Sequence, residues 1–148
     1  MTGQTNTDQT NQKNELAADD FFFIANQLLD FYQTVSAHIQ SPNFTKEEKM
    51  EIYEQSKSII QLSYEFQRMG FKSLCAKLNV SAEELKRAVA NAAAIIKTHF
   101  VIGKCIEITA DIIAIGSILA VPVLKPTSLL ALPELLTELV HDVNDLTK

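Results

Sequence analysis

Between Glu15 and Gln40 the apolar residues Phe21, Ile24, Leu28, Phe31, Val35 and Ile39 recur at steps of three and four. That spacing gathers into one stripe on an α-helix and scatters over both faces of a strand. The same period returns at Ile52, Tyr53, Ile59, Ile60, Ser63 and Phe66, then at Leu85, Val89, Ala92, Ile96 and Phe100, and finally at Leu135, Leu136, Leu139, Val143 and Leu146. No strand-like alternation and no internal repeat interrupts it. Four glycines and four prolines in 148 residues leave little turn material, which argues against a sandwich or barrel. The expected fold is therefore all-α, a bundle of four to five helices.

A chain of this length is one domain at the usual ratio of about 150 residues per domain. It buries about 68–70% of its unfolded surface, enough to fold without a disulfide or metal staple. Two cysteines exclude a disulfide scaffold. Residues 1–14 have no hydrophobic residue after Met1 and read as a disordered polar tail, leaving 15–148 as the single helical domain.

Helix boundaries follow from caps and breakers. The first helix should run from about Glu15 to Gln40 and stop at Ser41-Pro42-Asn43, because the residue before a proline is pushed out of helical conformation. Thr45-Lys46-Glu47-Glu48 is a capping box that starts a second helix, expected to end at Gly70. A short helix over Phe71–Leu78 should bury Cys75, and Ser81-Ala82-Glu83-Glu84 is a second capping box. The fourth helix is expected to be long, central and largely buried, from Ala82 to about Val121. Its polar stripe of Lys97, Lys104, Glu107 and Asp111 gives way to the uncharged run Ile112–Leu124. A last helix should follow Pro133, a residue tolerated in a first helical turn.

The net charge of −5 is concentrated at the ends. Asp8, Glu15, Asp19 and Asp20 outweigh Lys13, and Glu134, Glu138, Asp142 and Asp145 outweigh Lys148. Such a chain repels phosphate at long range, so generic nucleic-acid binding is disfavoured. One stretch is basic: Arg68, Lys72, Lys77, Lys86 and Arg87 form a candidate face for an acidic partner, against the plainer reading of a solvated helix surface. The polar N-terminus lacks the basic start and apolar stretch of a secretory signal, and Thr2 stands where myristoylation needs glycine. The expected location is the cytoplasm, although a Thr/Asn/Gln-rich start also suits export by a specialised secretion machine.

Signs of chemistry are sparse. Glu138 and His141 have the Glu-x-x-His spacing that puts two metal ligands on one helix face, but a di-iron bundle needs that motif twice, and it occurs once. The G-x-S-x-G, P-loop, dinucleotide and H-E-x-x-H patterns are absent. His99 and Cys105 fall on different faces, Cys75 and Cys105 sit at apolar-periodic positions, and His38 suits a helix C-terminus. No catalytic residue, metal or cofactor is expected.

Leu74–Ala88 resembles the helix-turn-helix turn of DNA-binding repressors. With Asn79 aligned to that family's turn glycine, Leu74, Leu78, Val80, Leu85 and Ala88 fall on its apolar positions and Lys86 and Arg87 on its exposed face. The resemblance covers residues 74–88 only, and it sets Glu83 and Glu84 where the reading helix would meet DNA. Ile112, Ile113, Ile115, Ile118, Leu119, Val121 and Leu124 raise a different reading, an apolar hairpin over 112–136 that a pore-former-like protein would release into a membrane. A span needs about 20 apolar residues, and lengthening this one takes Glu107 and Asp111 into the bilayer. A buried core helix is the preferred reading. Functionally the sequence favours a non-catalytic interaction protein with a protein partner, such as an adaptor, regulator or antitoxin-like binder. A membrane-active helical protein is the alternative, and a helix-turn-helix-like DNA-binding regulator comes third.

Overall fold

A computed structural model describes residues 14–120 and 126–147. The expected disordered tail lies outside the described residues except for Asn14, whose carbonyl accepts from the Leu78 N–H at 2.6 Å. Val121 and Leu124 lie outside them as well.

The fold is an all-α bundle. Five helices carry it: α1 (Ala18–His38), α2 (Lys46–Phe71), α3 (Ala82–Thr98), α4 (Ile102–Leu119) and α6 (Leu132–Asp145). The four-residue α5 (Pro126–Leu129) precedes the last helix. β1 (Glu15–Leu16) pairs antiparallel with β2 (Ala76–Lys77), with Glu15 opposite Lys77 and Leu16 opposite Ala76. The helices close into a ring in the order α1, α2, α4, α6, α3, each packed on the next. One hydrophobic core fills the ring. The stripe of α1 is buried as its period requires, with Phe21, Ile24, Leu28, Phe31 and Val35 inside and Ile39 partly covered. At the centre, Ile112, Ile115 and Leu119 of α4 meet Ile24 and Leu28 of α1, Phe66 of α2, and Leu85 and Val89 of α3.

The expected single helix from Ala82 to Val121 is two helices. Thr98-His99-Phe100-Val101-Ile102 is a run of β-branched and aromatic residues that lose side-chain freedom in a helix. His99 and Val101 leave the helical region, and Val101 is extended at φ −122°, ψ 117°. The break is held by aromatic packing. Phe100 stacks on His38 with ring centres 4.2 Å apart and lies 5.7 Å from Phe44, while His38 Nδ1–H donates to Thr34 O. As a result α3 and α4 stand on different sides of the ring, and no single long helix fills the centre.

Gly70 does not end α2. It sits inside the helix because a Cβ there would lie 2.8 Å from Phe22 Cζ, so α1 approaches closely only over a glycine. The helix stops one residue later, at Phe71, in a Schellman motif. Ser73, at φ 53°, takes the left-handed position, with Ser73 N–H donating to Gly70 O and Leu74 N–H to Met69 O. That stop removes the expected short helix over Phe71–Leu78. The chain turns into β2 instead, and Cys75 is exposed rather than packed in the core. Pairing of β1 with β2 likewise moves the start of α1 from Glu15 to Ala18, where Asp20 accepts from the Ala17 N–H at 2.9 Å.

The capping box at Thr45 is complete: Thr45 N–H donates to Glu48 Oε1 at 2.9 Å and Glu48 N–H to Thr45 Oγ at 3.1 Å. At Ser81 only half of one forms, through Glu84 N–H to Ser81 Oγ at 3.3 Å. One further position differs from the pattern: Tyr53 is 56% exposed. Ser63 is buried as its place in the stripe requires, and its hydroxyl donates to Ala25 O across the α1–α2 interface.

Candidate functional site

The amphipathic helix α6 meets different chemistry on its two sides. Pro133, Leu136, Thr137 and Val140 face α3, where Val80, Glu84, Arg87, Ala88 and Asn91 complete a surface groove of about 520 Å³. Apolar and polar side chains share its lining, and Val140 is 44% exposed. Arg87 makes no ion pair among the described residues.

On the other side, α6 presents carboxylates to α4. Lys104 Nζ of α4 reaches Glu107 at 2.9 Å, Asp145 at 3.0 Å and Asp142 at 3.4 Å. The Glu107 and Asp145 bonds hold the Lys104 ammonium well above the usual lysine range. Asp111, two turns further along α4, lies beside Asp142. Burial pushes its carboxyl up to about 8, helped by a hydrogen bond with Asp142 and by the negative charges of Asp142, Glu138 and Glu107. Oδ2 of Asp111 is buried without a donor. Two carboxylates cannot satisfy each other, whereas a carboxylic acid and a carboxylate can.

The candidate basic face is divided by the fold. Lys86 turns toward α1, where it bonds Asp20 at 2.7 Å and Glu83 at 2.8 Å and stands 5.7 Å from the Phe23 ring centre. The Asp20 bond, followed by that to Glu83, raises its pKa. Arg87, one residue on, points into the groove instead. Arg68 pairs with Glu65 on its own helix, Lys72 forms the α2 cap, and Lys77 lies on β2. The helix-turn-helix resemblance lacks its first helix, since β2 and the turn before it occupy that place.

Of the candidate membrane segment, Ile112, Ile115 and Leu119 are buried, and Ile113 and Ile118 are half-buried. Among the described residues no helix is long and apolar enough to cross a membrane. Glu138 acts electrostatically on Asp111, while His141 Nε2 lies 3.5 Å from Asp145. No group of three His, Cys, Asp or Glu among the described residues is arranged to hold a metal ion. The Cys105 thiol is buried, which pushes it up to about 11 and away from reactivity at neutral pH.

The sequence shows Arg87 on a candidate basic face and puts Lys104 and Asp111 on one polar stripe, without the α6 carboxylates that both of them meet. The missing signal was the second acidic stripe. Glu138, Asp142 and Asp145 recur at steps of four and three, so they share one face of α6, and that face turns toward α4. The chain matches no protein-family model, no curated protein and no solved structure.

Proposed function

We propose that the chain is a non-catalytic interaction protein, and that the α3–α6 groove is its docking face. One observation carries the reading. An arginine with no ion pair among the described residues lines a surface groove beside the apolar side chains of Val80, Ala88, Leu136 and Val140. A guanidinium beside apolar side chains is the combination that interface hot spots favour. The fitting partner is a protein segment that lays apolar side chains on Leu136, Val140 and Val80 and offers a carboxylate to Arg87.

The test is affinity purification from the native cell with three baits: the natural chain, Val140→Asp and Arg87→Glu. Both positions are at the surface, so the variants should keep the helical circular dichroism of the parent. A partner retained by the parent and lost from both variants supports the reading. The same partners on all three baits would contradict it, and recovery of the parent mainly with anionic lipid vesicles would move the choice to a membrane-active protein.

A further inference from the structure

We propose that Asp111 holds a proton against Asp142 across the α4–α6 interface at neutral pH, and that losing it in mild alkali loosens α6 from α4. The pair is a pH latch in the wall of the bundle. It stands independently of any partner for the groove, although α6 forms one side of both.

The geometry sets two carboxyl groups of different helices side by side, with no donor for the buried Oδ2 of Asp111. The charged surroundings make a second full charge costly. From α6, Glu138 and Asp142 act on Asp111, and from its own helix Glu107 does so. The nearby cation, Lys104, is already bound to Glu107, Asp142 and Asp145. It keeps its charge across the working range and so does not drive a switch. His141 pairs with Asp145 from the outer side of α6. On the remaining side α2 meets α4 through Gln55, whose Nε2 donates to Ile106 O, and through Leu62, which packs on Gly116. Neither is titratable.

The sign follows from linkage. In the unfolded chain Asp111 titrates near the ordinary value of about 3.9, and in the fold it keeps its proton to about 8. The folded state therefore holds one more proton than the unfolded state between those limits. Its stabilising share is full below the lower limit and is lost progressively as pH rises to the upper one. Mild acid tightens this interface, the reverse of an acid-triggered release.

The experiment uses the full chain and follows thermal unfolding from pH 5 to pH 9 for the parent, Asp111→Asn and Asp142→Asn. The carboxyl carbon of Asp111 is followed by NMR in the parent. Asparagine keeps the shape, carries no charge and can donate to the remaining carboxylate. The expected parent Tm falls by several degrees from pH 5 to pH 9, each variant is flatter, and the Asp111 resonance titrates well above the ordinary carboxylate range. Parallel pH curves for the parent and Asp111→Asn would overturn the proposal, as would an Asp111→Asn chain that fails to fold or an Asp111 carbon that titrates below pH 5.

Discussion

Two interfaces of this bundle use charge in opposite ways. Between α1 and α3, each aspartate has its own lysine across the interface: Asp20 meets Lys86, which also holds Glu83 of its own helix, and Asp30 meets Lys97, each at 2.7 Å. Between α4 and α6, one lysine stands among Glu107, Asp142 and Asp145 while Asp111 is left against Asp142. Both interfaces rest on similar apolar stripes, so the hydrophobic contribution does not separate them. Charge balance does. A matched pair keeps its interaction through the neutral range, whereas surplus carboxylates give an interface that depends on protons. The two halves of one core thus differ in what solution conditions can reach.

The largest expected effect removes the apolar basis that both interfaces share. Ile115→Asp buries a charge in the seam where α4 meets α1, α2 and α3, with no cation beside it. It should cost more than about 4 kcal/mol and leave the chain unfolded or insoluble, which circular dichroism and sedimentation would show. A folded, soluble Ile115→Asp chain would mean that α4 is not part of the core.

Asp111→Asn sharpens the contrast at the α4–α6 side. At pH 8 it should stabilise the protein by about 1–2 kcal/mol, a modest gain because water reaches part of the site. At pH 5 the gain should be smaller, since the folded parent is then protonated and only ionisation of the unfolded chain still opposes folding. Urea titrations at the two pH values measure the difference.

Thr45→Ala acts on α2, which borders both α1 and α4. Loss of a complete capping box should cost about 0.5–2 kcal/mol at every pH, with Ser81→Ala at the lower end because its box is half formed. The smallest effect belongs to the matched interface. Lys86→Met should cost about 1 kcal/mol or less, with no slope between pH 5 and pH 9. A pH-dependent loss there would erase the distinction between the two sides.

Much of this architecture was legible in the sequence because helix periodicity and caps are local. The stripe of α1, the Thr45 cap and the proline near the start of α6 needed no tertiary information. The errors arose where a distant contact decides. Gly70 reads as a helix stop, yet Phe22 of another helix explains it. Cys75 reads as core, yet the left-handed Ser73 turns the chain outward. The break at His99–Val101 had a local signal in its β-branched and aromatic run, and the apolar period continuing through it masked that signal. The groove and the carboxyl pair were legible only in part. Arg87 and Asp111 were each visible, but which face of α6 meets which helix depends on the closure of the ring.

Hydrogen exchange resolved by residue in the natural chain, at pH 6 and pH 8.5, tests the contrast most directly once intrinsic exchange rates are taken into account. The proton latch predicts that amides of α6 lose protection selectively at the higher pH, by tenfold or more if about 1.4 kcal/mol of local stability is lost, while those of α1 hold theirs. Equal changes in α1 and α6, or no change in either, would contradict it.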